Sequence, residues 1–302
     1  MKAQSPDLKP AAPAVPWLVT LSLAVAVLGW GWAWVGIRDT VRFYEPGPLA
    51  LGRYLVASAV LLPIWLWRGA KLPARGDWPL TLLLGLSGFT LYNYCINVGE
   101  QTVAAGTASL IAACIPVMVT LGARFFFAEK LTWIGWFGIG LSFAGVGTTT
   151  LGAGKAIQLS LGAVLVLAAS VCAATYSLLN KRLLKRYAPL EVTTWTIWAG
   201  TLGLLPFGAG LPATVAAAPA LATFKVALLG LVPGALCYAL FSYAITKIPM
   251  ARVASWMFLV SLTSVSLGWL LLDELPSGMA LVGGGITLAG VYLVNTRGHP
   301  PA

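Results

Sequence analysis

Charge is what this chain has least of. Of its 302 residues only 9% are Asp, Glu, Lys or Arg, against about 25% in an ordinary soluble domain. A soluble fold of this size needs far more polar surface, which excludes a water-soluble globular enzyme and a disordered chain. Histidine is almost missing too. His299 stands alone in the C-terminal tail, so no site can be built on two imidazoles. The four cysteines, Cys95, Cys114, Cys172 and Cys237, fall in apolar stretches without metal-ligand or redox spacing. No cofactor is implied. Nor is there an H-E-x-x-H, a G-x-S-x-G or a pair of mid-span carboxylates, so enzyme chemistry inside the membrane is not expected.

What is present is hydrophobicity. The apolar fraction is 59% and the mean hydropathy is +0.86. A helix crossing about 30 Å of hydrocarbon needs about 20 apolar residues. Ten stretches qualify: 17–37, 47–67, 78–98, 104–124, 131–151, 159–180, 190–210, 222–244, 250–272 and 277–296. The expected fold is therefore an all-α integral membrane protein with the lipid bilayer as its partner. Neither nucleic acid nor a protein partner is implied. The charges that do occur are 19 basic against 9 acidic. With the N-terminus inside, fourteen of the nineteen Lys and Arg fall on the cytoplasmic side, which predicts two cytoplasmic termini.

An internal repeat runs through these spans. Tyr44-Glu45-Pro46 returns as Tyr187-Ala188-Pro189, and Leu62-Pro63 as Leu205-Pro206. Ala108-Ser109 returns as Ala254-Ser255, Tyr92 as Tyr238 and Glu129 as Glu274. The chain divides into a tail (1–16), a first five-span repeat (17–152), a second (153–296) and a short tail (297–302). Five is odd, so the second copy enters the membrane from the opposite side. Inverted repeats of this kind place a substrate site near the midplane between the halves.

Several short motifs sit on this frame. They are Trp30-Gly31, Pro48-x-x-x-x-Arg53, Ala128-Glu129-Lys130-Leu131, Asp273-Glu274-Leu275-Pro276, and Tyr176 leading to Lys181-Arg182. With ten spans and the repeat, they resemble the drug/metabolite transporter superfamily of EamA type, across nearly the whole chain. Both copies of the Glu motif lack the family's glycine, and Pro276 replaces a leucine. The resemblance is to bacterial exporters of amino acids, aromatic ones included. It implies efflux of a small molecule across the inner membrane by alternating access. The same superfamily holds proton-coupled exporters of drugs and cationic metabolites, which remain the alternative.

Candidate path residues come from polar and aromatic side chains inside spans, which are costly unless they face protein or a watery cavity. In the third span Ser87, Thr90, Tyr94, Asn97 and Gln101 share one face at regular α-helical spacing, with Asn93 beside it. This stripe can be read as interhelical hydrogen bonding or as the lining of the path. Tyr238 and Ser242 on the eighth span, Tyr176 and Ser177 on the sixth, Ser255 on the ninth and Trp32 on the first complete the set. Trp32 stands where the resembled family more often has a small polar residue. Arg53, Arg124 and Arg252 fall near span ends, so the expected cavity has aromatic walls, amides and hydroxyls but no fixed charge. All nine acidic residues fall in tails, loops or span ends. That predicts a facilitator running down the substrate gradient. Gly135, Gly138, Gly140, Gly283, Gly284 and Gly285 are expected to let helices pack closely.

Overall fold

A computed structural model describes residues 17–69, 71–127, 130–152, 160–245, 247 and 250–297. Among them there is no strand. We label the helices α1 (Trp17–Thr40), α2 (Pro46–Trp67), α3 (Arg75–Gly99), α4 (Ala105–Phe126) and α5 (Trp133–Leu151). The second set is α6 (Leu161–Leu184), α7 (Pro189–Ala217), α8 (Ala220–Phe241), α9 (Met250–Leu272) and α10 (Gly278–Arg297). The first eight are long and apolar enough to cross a membrane, and α9 and α10 carry the shorter apolar stretches Leu259–Leu272 and Gly278–Val294. Helices suit a bilayer because each satisfies its own backbone polar groups. Pro46 and Pro189 open α2 and α7 at first-turn positions, where a missing N–H costs nothing.

The helices pack with the symmetry an inverted repeat demands. α1 lies on α8 and α9, and its counterpart α6 lies on α3 and α4. The matching pairs α2–α7, α4–α9 and α5–α10 pack on each other. Ser58 and Thr201 are repeat partners 143 positions apart, and their hydroxyls meet at 2.9 Å. The two loop tyrosines also act alike. Tyr44 shares a 2.7 Å hydrogen bond with Thr223 at the start of α8. Tyr187 donates to Asp77 at 2.6 Å, beside the start of α3.

α5 and α10 form the tightest seam. A methyl group added at Gly145 would press on the Thr287 nitrogen and sit 2.6 Å from the Gly283 carbonyl. One at Gly138 would meet the Gly290 carbonyl at 2.9 Å; Gly284 faces α4 instead, where the added carbon would meet the Leu110 side chain at 2.6 Å. Small residues thus let two backbones touch, as membrane helices require. Two of the expected packing glycines do otherwise. Around Gly140 and Gly285 nothing lies within 4 Å of the added carbon, because both fall on faces turned away from neighbouring helices.

Two helices depart from α geometry at matching places. α3 widens to a π turn over Leu86–Leu91 and α8 over Gly230–Leu236. In α8 the interruption contains Pro233, which has no N–H for the regular ladder. α4 breaks around Ala113 and Cys114, one residue before Ile115 and Pro116.

A cavity with one buried arginine

A cavity of about 360 Å³ lies between the two sets of helices. Its lining comes from both halves. α1 contributes Trp30 and Trp34, α2 Arg53 and Tyr54, and α3 Gly88, Tyr92 and Asn93. α4 adds Ser109 and Pro116, α6 adds Tyr176 and Ser177, α8 adds Tyr238 and Phe241, and α9 adds Met257 and Ser261. The π turns in α3 and α8 both face it, through Gly88 and Pro233. Such turns mark functional positions in many helices.

The aromatic wall is interlocked. Trp30 meets Tyr238 and Phe241 edge-on, each at 5.4 Å between ring centres. Its indole N–H donates to the Pro233 carbonyl at 3.2 Å, a carbonyl in the widened segment of α8. Phe89 stacks edge-on against Tyr54 and Tyr176. These ring pairs hold the wall's shape as well as burying area.

The candidate residues separate into three groups. Asn93, Tyr176, Ser177 and Tyr238 line the cavity. Trp32, Thr90, Tyr94 and Asn97 do not. Trp32 packs beside the apolar core next to Trp34, which takes the cavity position instead. Thr90 donates to the Gly200 carbonyl on α7 at 2.8 Å, and Tyr94 stacks on Phe207 of the same helix at 5.2 Å. Asn97 donates to the Pro46 carbonyl at 2.9 Å. The single face expected from Ser87 to Gln101 assumes regular α geometry. The π turn at Leu86–Leu91 adds a residue and rotates the rest of the helix, so the cavity face becomes Gly88, Tyr92, Asn93 and Ile96. The side chains of Ser242 and Ser255, and all of Glu129, lie outside the described residues.

The expectation of an uncharged cavity fails at Arg53. This residue is 5% exposed and lies seven residues into α2, about 10 Å along the helix from Pro46. It reaches the cavity wall. Its Nη1 donates to the Asn93 side-chain oxygen at 3.3 Å. The Asn93 amide nitrogen donates in turn to the Tyr54 hydroxyl at 3.0 Å and the Phe89 carbonyl at 2.8 Å. The Arg53 Nε has no partner.

One acidic residue lies at a span end as expected but is buried there. Glu100 directly follows α3 and is 0% exposed, and neither of its carboxylate oxygens has a hydrogen-bond partner. Burial pushes its pKa well above the ordinary carboxylate range. The nearby Arg53 and Arg38 charges oppose that shift, and Glu274 adds to it. In sequence this position reads as a loop. In the fold Arg38 covers it, donating to the Glu100 backbone carbonyl while pairing with Glu274 at 3.1 Å. Arg42 reaches Glu274 at 3.4 Å, and Lys225 pairs with Asp39. Asp273 makes the turn that presents Glu274, at a left-handed φ of 53° that aspartate tolerates better than most residues. These pairs clasp α1, α8 and the α9–α10 turn together at the Arg38 end of the bundle.

No group of three or more His, Cys, Asp or Glu side chains able to hold a metal occurs among the described residues. The described lining offers aromatic rings, an amide, hydroxyls and one guanidinium. It can enclose a small molecule and pair one charge.

Residues 17–151 match the EamA-like transporter family, and residues 160–296 match it a second time. The chain belongs to this family. A probable terminal-alkyne amino-acid exporter of Streptantibioticus cattleyicolor is 36% identical over 284 residues, covering 93% of each chain. The uncharacterized transporter YdfC of Bacillus subtilis is 32% identical over 256 residues, covering 85% of this chain and 84% of that one. A protein of known crystal structure shares the fold at a TM-score of 0.61 and 17% identity, over 91% of this chain and 96% of that one. This EamA-family chain is thus a multi-pass membrane protein of ten helices, with bacterial transporters among its relatives.

Proposed function

We propose that the protein exports amino acids or similar small metabolites from the cytoplasm through the cavity between its halves. The observation that carries this reading is the cavity itself. At about 360 Å³ it falls within the roughly 300–1,000 Å³ of small-molecule sites, and both repeats line it. The amino-acid relative, similar along most of both chains, supports the substrate class. Rocking of the two inverted halves would expose the cavity to each side in turn. The protein acts as a transporter rather than an enzyme, in the bacterial inner membrane with both termini in the cytoplasm. The Arg38 clasp then lies on the outer side.

Movement down the substrate's own gradient is the first reading of the energetics. Glu100 favours a second one, coupling to protons, because a buried carboxylate without partners is the kind of group that loads and releases a proton in carriers. A drug or cationic substrate suits the cavity poorly, since Arg53 would repel it.

Proteoliposomes preloaded with radiolabelled L-phenylalanine, L-leucine or L-alanine test the proposal. At least one amino acid should leave faster than from protein-free liposomes. Equal loss of all three from both preparations would refute amino-acid export by this chain.

A further inference from the structure

Arg53 is the one charged side chain that lines the cavity among the described residues. Its compensation is incomplete: the Tyr54 ring centre lies 5.8 Å from the guanidinium carbon and the Glu100 carboxyl is near enough to feel its charge, but neither bonds it. None of the salt bridges among the described residues includes it, and its Nε–H bonds nothing. Removing a guanidinium from water costs several kcal/mol unless a counter-charge or a full set of hydrogen bonds repays it. Asn93 repays part. Its amide nitrogen is engaged with Tyr54 and Phe89, so it can offer Arg53 only its oxygen. The guanidinium is thereby oriented with donors to spare; Nε itself is buried, so a carboxylate in the cavity would meet the Nη groups. Planar N–H pairs match a carboxylate bidentately.

Two serines of the same lining have complementary chemistry. Ser261 spends its hydroxyl hydrogen on the Ser109 carbonyl at 3.0 Å, and Ser109 spends its own on the Gly106 carbonyl at 2.8 Å. Both hydroxyls therefore present acceptor lone pairs to the cavity, where an ammonium group could donate. The faces of Trp30 and Tyr238 attract cations as well. A phosphate dianion would call for a second cation beside Arg53, and the described lining has none.

We propose that Arg53 is the carboxylate anchor of this cavity, and that it selects α-amino acids with an apolar or aromatic side chain over amines and amides of the same shape. This deepens the transport reading and rests on it. Asn93 is a positioning residue that acts through Arg53.

The test is binding to the full-length purified protein in detergent, by titration calorimetry, with L-phenylalanine, L-phenylalaninamide and phenethylamine as probes. All three carry the same ring and an amine, and only the first carries a carboxylate. The wild type should bind L-phenylalanine at least tenfold more tightly than either of the others. Arg53→Gln should lose at least tenfold in L-phenylalanine affinity, and Arg53→Lys should recover part of it. Equal wild-type affinity for the acid and the amine would overturn the anchor while leaving the transport reading intact. So would a folded Arg53→Gln variant within twofold of wild type. Wild-type protein that binds none of the probes overturns the anchor, and the liposome efflux measurement then judges the transport reading separately. If Arg53→Gln fails to fold, the probe series on wild type and Arg53→Lys decides.

Discussion

Asn93 and Asn97 lie one helical turn apart, both buried and both turned toward α2, yet their replacement by leucine should have different consequences. Asn93 accepts from Arg53 and donates to the Tyr54 hydroxyl and the Phe89 carbonyl. Leucine deletes all three bonds. The two neutral bonds contribute about 1 kcal/mol each, and the charged one about 1.5–3 kcal/mol. Arg53 also loses its one side-chain hydrogen-bond partner, and the three losses together come to about 3.5–5 kcal/mol. Asn97 makes one bond, to the Pro46 carbonyl, and its own Oδ1 is buried without a partner. Leucine there loses that one bond, to a carbonyl the α2 ladder also serves, and removes the stranded Oδ1. Losing the bond costs about 0.5–1.5 kcal/mol and removing the stranded atom gains about 1–3 kcal/mol, so the two largely offset. For a chain of this size 1 kcal/mol moves a melting temperature by roughly 2–4 °C. Asn93→Leu should therefore lower the melting temperature of the purified protein by about 10 °C and weaken L-phenylalanine binding. Asn97→Leu should stay within about 4 °C of wild type and keep binding. An Asn97→Leu variant as damaged as Asn93→Leu would refute this division of roles.

Three further outcomes rest on other parts of the fold. Gly145→Ala places a carbon against the backbone of α10 and should destabilise by about 1–3 kcal/mol. Gly140→Ala meets nothing and should stabilise by about 0.5–1 kcal/mol, both read from thermal unfolding. Glu100 holds its proton more tightly folded than unfolded, so its contribution to stability is full below the ordinary glutamate value of about 4.5 and falls as pH rises through the raised folded value. Glu100→Gln should flatten that decline in a melting-temperature series above pH 4.5, and an unchanged slope would contradict the buried-acid account. In a cysteine-free background, a cysteine at Lys185 should resist a membrane-impermeant thiol reagent applied to whole cells, while one at Thr102 reacts. The reverse pattern would invert the topology.

The repeat, the ten spans and the all-helical fold are legible in the chain because they depend on long-range hydropathy and on residue spacing that survives in both copies. Tyr44 and Tyr187 show how far this reaches, since both copies use the same side chain for the same kind of link. The site was only half legible. Periodicity cannot foresee the π turn in α3, and this turn moves Tyr94 and Thr90 onto α7 and brings Tyr92 and Asn93 to the cavity. Position along a span also misjudges burial. Arg53 lies near a helix end by count, but α8 packs so closely on α2 that a carbon at Gly230 would touch the Arg53 carbonyl, and the side chain is enclosed. Glu100 reads as a loop residue for the same reason, until Arg38 and the turn bearing Glu274 are folded over it. A lone arginine two turns inside an apolar span was the available signal for the first. Nothing in the local sequence marks the second.

The central claim is that substrate crosses through the cavity between the halves. Ala173 lines that cavity on α6, and a tryptophan there would fill much of it. Leu270 on α9 is 68% exposed and offers a lipid-side control. Efflux of radiolabelled L-phenylalanine from proteoliposomes should fall below a tenth of the wild-type rate with Ala173→Trp and stay within twofold with Leu270→Trp. Wild-type efflux through a folded Ala173→Trp protein would contradict the claim.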